Sequence, residues 1–547
     1  MIRVENLSFG FGTKELYKNI SFTLEEGQHC AFIGSNGTGK TTLVNMILEP
    51  EKYVYDGKII IREDCRIGYV NQFFNLQMDK EKTVFEFLCE HFLELQKQME
   101  EVCARMAVEE ELDAVFAEYQ RLLDLSQAMD GDHYESNIRK QLSLVRMSTK
   151  EDVLIGQLSG GEYKLLQVMK AMLLQPNLLI MDEPDVFLDF ENMNGLCELV
   201  NSYRGTLLVI THNRYLLNHC FNKILHLEDT DIQEFDGDYI SYNYMLLEKK
   251  IELQEQALRD KQEIERTEKM VDRMRTTATN VSIASLGRAV NAKQTYLDRL
   301  RARAIKAPFI EMKIPKILFP QVEVDPEEIV LRVTNYRAEF DEVVLEDVNF
   351  EIKANEKVAI VGANGTGKTT LFYDIFRNQH PAVKIADGIE VGFLSQFYGK
   401  VEDDRLSGGE QNLLQIERIA KGKASLLLLD EPTSHLDTWA QIALEEAILQ
   451  YSGAVLMVSH DFYTIVNCAD YILFVDDTSV RQMRIRTFRK KVYEHHMNKD
   501  YLELEQKKKN LETQILECLK KDEVETAKKL REQLEEIVDK MVKDKIR

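Results

Sequence analysis

The chain has 547 residues, room for roughly two to four domains, and its 44% hydrophobic and 29% charged residues fit a globular protein. No apolar run approaches the roughly eighteen residues that span a bilayer, and eight scattered cysteines without Cys-x-x-Cys spacing point to reduced thiols rather than zinc or iron–sulfur ligation. A net charge of −23 excludes nucleic-acid binding over the whole surface, because phosphate backbones demand neutralising cations, but leaves local basic patches open.

Met1–Glu5 runs straight into a strand-like pattern, so no signal peptide and a cytoplasmic location are expected. Residues 1–72 read as strands and turns around a phosphate loop. The apolar run Ala31-Phe32-Ile33 leads into Gly34-Ser35-Asn36-Gly37-Thr38-Gly39-Lys40-Thr41, followed by Thr42, matching G-x-x-x-x-G-K-[ST]. Its glycines let backbone N–H groups close around phosphate oxygens at a helix N-terminus. Lys40 would reach the β- and γ-phosphates of ATP and Thr41 would hold Mg²⁺. The octapeptide recurs as Gly362-Ala363-Asn364-Gly365-Thr366-Gly367-Lys368-Thr369, followed by Thr370.

The repeat extends further. Leu158-Ser159-Gly160-Gly161-Glu162 returns as Leu406-Ser407-Gly408-Gly409-Glu410. The apolar strands ending in Asp182-Glu183-Pro184 and Asp430-Glu431-Pro432 match, as do Thr211-His212 and Ser459-His460. Each signature serine stands 23 residues before its aspartate, and each aspartate 30 before its histidine. Equal spacing means one fold used twice.

These motifs resemble those of the ATP-binding cassette (ABC) family over most of 1–240 and 328–480. The resemblance implies ATP hydrolysis with roles residue by residue. Asp182 and Asp430 would organise Mg²⁺, and Glu183 and Glu431 would polarise the attacking water. Gln72 and Gln396 would contact metal and water, and His212 and His460 the γ-phosphate. Ser159, Gly160 and Gly161, and Ser407, Gly408 and Gly409, would cap nucleotide held by the other copy. The chemistry agrees, since phosphoryl transfer needs positive clamps and a carboxylate to orient water. An aromatic platform for adenine is expected at Phe11 and at Phe340 or Tyr336.

The copies are unequal. From Lys40 to Ser159 is 119 residues, but from Lys368 to Ser407 only 39. The first copy fills the interval with a helical arm, about 83–147, whose Phe85, Leu88, Phe92 and Leu95 recur at helical steps, with an acidic helical hairpin over 98–127. The second has almost no helical lobe, which weighs against a transporter ATPase. After Glu183 the first copy reads Pro184-Asp185-Val186, either tolerated drift or an extra carboxylate that makes hydrolysis at the two sites unequal.

Between the copies, Met245–Arg275 lacks Pro and Gly and predicts a helix over 242–277. Thr276–Ser285 with Gly287 reads as a tip and Val290–Arg303 as a returning helix, followed by a proline-bearing strap. Nine Lys and Arg fall between Lys269 and Lys306 against Asp272 and Asp298 alone, a basic half on an acidic chain. Beyond Arg481 come a basic strap (Arg484, Arg486, Arg489, Lys490, Lys491) and a coiled-coil hairpin with seam residues Leu504, Leu511, Val524, Leu534 and Met541.

The expected fold is therefore α/β, two tandem ABC-type P-loop ATPase domains joined by a long α-helical hairpin with a C-terminal helical coiled-coil extension. The boundaries expected are 1–240, 241–325, 326–482 and 483–547. Two cassettes, no membrane segment and an interdomain hairpin resemble the ABC-F family of ribosome-associated translation factors. That resemblance implies a monomer with intramolecular pairing of its cassettes, whose hairpin (about 269–306) meets rRNA and the P-site tRNA near the peptidyl-transferase centre. Shape and phosphate recognition by Arg and Lys suit such RNA. The extended tip and reduced second lobe lean toward antibiotic protection of the ribosome. A housekeeping translation factor and a DNA-associated ABC ATPase are the alternatives.

Overall fold

Two stretches of unbroken apolar strand explain the architecture. The computed structural model describes residues 1–12, 14–72, 79–106, 112–186, 188–280, 284–303, 315–323, 325–339, 343–395, 408–493 and 499–545. Gln396, Ser407, Phe340 and the centre of the expected tip (281–283) lie outside them. The chain divides into two units, Met1–Asp238 with Pro315–Val492, and Tyr239–Ile314 with Tyr493–Arg547.

In the first unit the opening copy runs β1 (Ile2–Phe11), β2 (Lys14–Leu24), β3 (His29–Ile33), α1 (Lys40–Leu48), β4 (Asp56–Ile61) and β5 (Ile67–Val70). The helical arm follows as α2 (Val84–Met106), α3 (Leu112–Ala128) and α4 (Tyr134–Leu144). Then come α5 (Gly160–Leu173), β6 (Leu178–Asp182), α6 (Phe190–Ser202), β7 (Thr206–Ile210), α7 (Arg214–Cys220), β8 (Lys223–Glu228) and β9 (Asp231–Asp236). The hairpin α8 (Tyr239–Asn280) and α9 (Ala284–Arg303) belongs to the second unit. The second copy repeats the plan with β10 (Ile329–Glu339), β11 (Val343–Lys353), β12 (Lys357–Val361), α10 (Lys368–Arg377), β13 (Val383–Ile385) and β14 (Val391–Leu394). It continues with α11 (Gly408–Ala420), β15 (Leu426–Asp430), α12 (Thr438–Gln450), β16 (Ala454–Val458), α13 (Phe462–Cys468), β17 (Tyr471–Asp476) and β18 (Ser479–Arg484). Three helices close the chain: α14 (Ile485–Tyr493), α15 (Lys499–Lys520) and α16 (Val524–Lys545).

Each copy has a six-stranded sheet, ordered β5-β6-β7-β3-β8-β9 and β14-β15-β16-β12-β17-β18, parallel except at its last strand. Strands β3, β6, β7, β12, β15 and β16 are almost wholly buried, as parallel strands covered on both faces must be. Register then does the positioning. Asp182 pairs with Ile210 and Asp430 with Val458, so the residues after each pair emerge side by side at the carboxyl ends of the strands. That edge is where open α/β sheets bind ligands. A three-stranded antiparallel sheet, β2-β1-β4 or β11-β10-β13, completes each copy.

Three local expectations are corrected. In the arm, Phe87 is buried while Phe85 is partly exposed beneath Arg139, 5.4 Å from its ring. The expected basic strap at 484–491 is strand end and helix, because Phe488 and Val492, four residues apart, bury one face of α14. The hairpin helices also run past their expected ends. Thr276 and Thr277 donate their hydroxyls to the carbonyls of Asp272 and Arg273 at 2.9 Å, so α8 absorbs these polar β-branched residues and continues to Asn280.

In the second unit α8 and α9 pack antiparallel, with Thr267, Val271, Val290 and Leu297 buried. Arg301 pairs with Glu268 at 2.6 Å and Tyr296 donates to Glu263 at 2.8 Å. The C-terminal seam turns onto α8: Ile240 and Ile251 share a core with Ile515, Leu519, Val524, Ala527, Leu534, Val538 and Met541. Arg531 bonds Glu248 and Lys528 meets Glu255, both at 2.9 Å, along the same contact.

Leu534 is fully buried there. Leu534→Ala should cost the helical unit about 2–5 kcal/mol. The expected readout is faster amide exchange through α8, α15 and α16, with protection in the cassette strands unchanged.

Candidate functional site

Every group at the first site hangs from a strand end. Beyond β3 the phosphate loop turns into α1, with Gly39 at φ 103° and no room for a side chain, since a Cβ there would lie 2.7 Å from the Tyr17 hydroxyl. Lys40 Nζ donates to the carbonyls of Gly34 (2.8 Å) and Ser35 (2.9 Å), poised within the loop. Thr41 bonds Asp182, whose second oxygen has no hydrogen-bond partner. Burial, then the neighbouring Glu183, pushes the Asp182 carboxyl up to about 6.

Glu183 sits in the left-handed region at φ 45°, and Glu431 at 48°. Non-glycine residues occupy that region at a cost, and such strain gathers at functional sites. The Glu183 N–H still reaches the Ile210 carbonyl at 2.9 Å, and its Oε2 accepts from Gln72 Nε2 at 2.5 Å. The His435 ring of the second cassette lies 3.8 Å away. Burial works to raise the Glu183 carboxyl, but the His435 contact and the charge of Lys40 outweigh it and hold it below its ordinary value. Burial, then Lys40, drives the His212 imidazole down to about 3, so it is neutral at physiological pH.

At the second site Lys368 Nζ donates to Gly362 (2.9 Å) and Ala363 (2.5 Å). Both oxygens of Asp430 are buried without a hydrogen-bond partner, and burial lifts its carboxyl to about 6. Glu431 accepts the His460 backbone N–H at 3.2 Å, with the ring nitrogen 3.6 Å from its other oxygen. Burial, then Asp430, lifts the Glu431 carboxyl to about 8. The two glutamates are therefore shifted in opposite directions, a difference the repeated motif alone does not reveal.

The cassettes complete one another. Asp189 Oδ2 accepts the backbone N–H of Asn364 at 3.0 Å, and Asp437 Oδ2 that of Asn36 at 3.2 Å. Each aspartate also caps a helix, Asp189 on Asn192 (3.0 Å) and Asp437 on Ala440 (2.9 Å). Asn36 Nδ2 donates to the His435 carbonyl at 2.7 Å, and a Cβ on Gly409 would lie 2.1 Å from that nitrogen. Ser159 forms a capping box with Glu162 at the start of α5. Ser159, Gly160 and Gly161 share a cavity of about 720 Å³ with Lys368, Glu431 and His460. A phosphate chain on Lys368 would face the N-terminus of α5, a favourable place for an anion.

Unpartnered buried carboxylate oxygens on Asp182 and Asp430, beside Thr41 and Thr369, fit a hard cation that takes its remaining ligands from phosphate and water. Among the described residues no cluster of three or more His, Cys, Asp or Glu forms a self-sufficient metal site. Gln396 and Ser407 lie outside the described residues.

Some partners escape sequence reading. Buried Lys164 holds the carbonyls of Asn71 (2.6 Å) and Gln72 (3.1 Å), tying the signature helix to the glutamine. Its only sequence trace is a lysine on the buried face of an amphipathic helix. Of the expected adenine platforms, Phe11 is exposed beside Phe9, whereas Tyr336 is buried with its hydroxyl on Asp374 at 2.7 Å and cannot stack on a base.

Asp185 accepts from Thr211 Oγ1 at 2.7 Å, and burial pushes its carboxyl to about 7. A raised folded value favours folding most below the unfolded value near 3.8, and that contribution is lost as pH rises to about 7. Asp185→Asn keeps an acceptor for Thr211 without the charge. It should leave the Tm of the nucleotide-free protein near wild type at about pH 4, raise it increasingly up to about pH 7, and hold that gain above. Thermal melts across pH check this.

Comparison with known proteins agrees with this geometry. The ABC transporter family matches residues 17–186 and 345–395. The uncharacterized ABC transporter ATP-binding protein YfmM of Bacillus subtilis (strain 168) is 26% identical over 516 residues, covering 85% of this chain and 96% of that protein. The energy-dependent translational throttle protein EttA of Escherichia coli (strain K12) is 27% identical over 514 residues, 85% of this chain and 90% of its own. ABC transporter F family member 2 of Arabidopsis thaliana is 28% identical over 530 residues, 87% and 76%. The solved structure of RNase-L Inhibitor has the same fold, with a TM-score of 0.54 at 17% identity over 90% of this chain and 92% of that one. Two tandem ABC-type ATPase domains make the chain an ATP-hydrolysing enzyme that is similar over most of its length to these relatives.

Proposed function

We propose that this ATPase is a ribosome-binding translation factor in which ATP draws the cassettes together, the closed form presents the α8–α9 hairpin to RNA, and hydrolysis releases it. The observation that carries the reading is the pairing of two cross-completed nucleotide sites with a long helical hairpin whose distal half is basic. Lys269, Arg273, Arg275, Arg288 and Arg299 are exposed on that hairpin. Exposed cations on a rigid rod suit a phosphate backbone recognised by shape. EttA is named a translational throttle protein, which supports translation as the process served. Among the described residues no helix is long and apolar enough to cross a membrane.

Within each site, Lys40 and Lys368 bind the β- and γ-phosphates, the phosphate-loop N–H groups cradle them, and Thr41, Thr369, Asp182, Asp430, Gln72 and Gln396 hold Mg²⁺. When bound, Mg²⁺ neutralises phosphate charge. Glu183 and Glu431 orient water, His212 and His460 face the γ-phosphate, and the signature serines and glycines cap nucleotide from across the interface. The hairpin would enter the exit site toward the P-site tRNA and peptidyl-transferase centre, and its tip would dislodge antibiotics bound there.

A Glu183→Gln/Glu431→Gln chain should accumulate on ribosomes with ATP, read by co-sedimentation, and absence from the ribosomal fraction would falsify the reading. Shortening 276–287 should leave ATP turnover within about twofold of wild type yet abolish the effect on translation in a cell-free assay. Drug susceptibility with and without the gene tests protection, and unchanged susceptibility would leave a general translation factor.

A further inference from the structure

His212 and His460 belong to different cassettes, yet the residues that follow them are joined by a buried ion pair. Arg214, two residues after His212, donates from Nη2 to Asp461 Oδ2 at 3.0 Å, and Asp461 directly follows His460. The same nitrogen bonds Glu445 Oε1 and lies 3.4 Å from Thr464 Oγ1. The three charged side chains are only 10%, 8% and 14% exposed, so water cannot substitute for a lost partner. The acceptors are themselves fixed. Glu445 Oε2 accepts from Asn467 at 2.7 Å, and Asp461 Oδ1 caps α13 through Tyr463 N–H at 2.9 Å.

The repeat makes this link one-sided. Counting from Asp182 and Asp430, Phe462 stands where the first copy has Arg214, Cys197 where the second has Glu445, and Asn213 where it has Asp461. On that flank Phe462 lies 6.5 Å from the Tyr215 ring and carries no charge. His212, His460 and Asp461 line the same cavity. A buried cation must keep its anions, so the two histidine loops move together or leave charge unpaired.

We propose that Arg214 is a positioning residue that couples the two nucleotide sites by tying the His212 loop to the His460 loop. The inference rests on the site assignment above, with Glu183 serving one site and Glu431 the other.

The test is steady-state ATP turnover of the full chain with Arg214→Met added to Glu183→Gln and, separately, to Glu431→Gln, alongside thermal melts. Remaining turnover should fall at least about fivefold in both backgrounds, mainly in kcat. Asp461→Asn should add little once Arg214 is gone, and Arg214→Lys should restore part of the rate. Loss in one background only, or in KM alone, would overturn the coupling. A second variant, Arg214→Phe/Glu445→Cys/Asp461→Asn, rebuilds the apolar flank without charge. It should fold and still turn over slowly in both backgrounds, and recovery of rate would reduce Arg214 to interface packing. If neither glutamate substitution lowers turnover, the site assignment itself fails and the coupling falls with it.

Discussion

Each phosphate loop in this protein is finished by a carboxylate from the other cassette. Asp189 reaches the Asn364 N–H and Asp437 the Asn36 N–H, each while capping its own helix. A helix cap is a rigid mount, because the oxygen that bonds the helix cannot leave without orphaning an N–H. The interface is thereby measured from the strand ends of both sheets. The phosphate loops of both cassettes thus carry the contacts that join them.

Around this reciprocal pair the molecule departs from symmetry in chemically specific ways. Glu183 accepts from Gln72 and faces His435, and its carboxyl is held low. Glu431, with a backbone N–H and the neighbouring Asp430, is lifted to about 8. Asp185, where the second copy has Thr433, adds a buried acid to the first site. One flank of the interface is ionic through Arg214 and the other aromatic through Phe462. Two copies of one fold have become two different sites.

The helical unit rests on a different balance. Its α8–α9 hairpin has modest buried surface of its own, and α8 gains a second core from the C-terminal hairpin through Ile240 and Ile251. Helices within proteins owe most of their stability to such packing. The seam at Val524, Leu534 and Met541, legible as a coiled coil, thus packs within its own unit.

The sequence by itself determined the repeat, the strands, the phosphate-loop motifs, the long hairpin and the members of the candidate site, because motif spacing and apolar periodicity are local quantities. The equal intervals from Ser159 to Asp182 and from Ser407 to Asp430 needed no structure to be read. Tertiary structure decided what depends on neighbours distant in the chain. Tyr336 proved buried on Asp374, Phe87 rather than Phe85 entered the arm core, and Lys164 turned out to hold the Gln72 segment. The same holds for the unequal glutamates and for Arg214, some 230 residues from Glu445. Burial and charge pairing are set by what packs opposite, and periodicity along one segment carries no record of its partner.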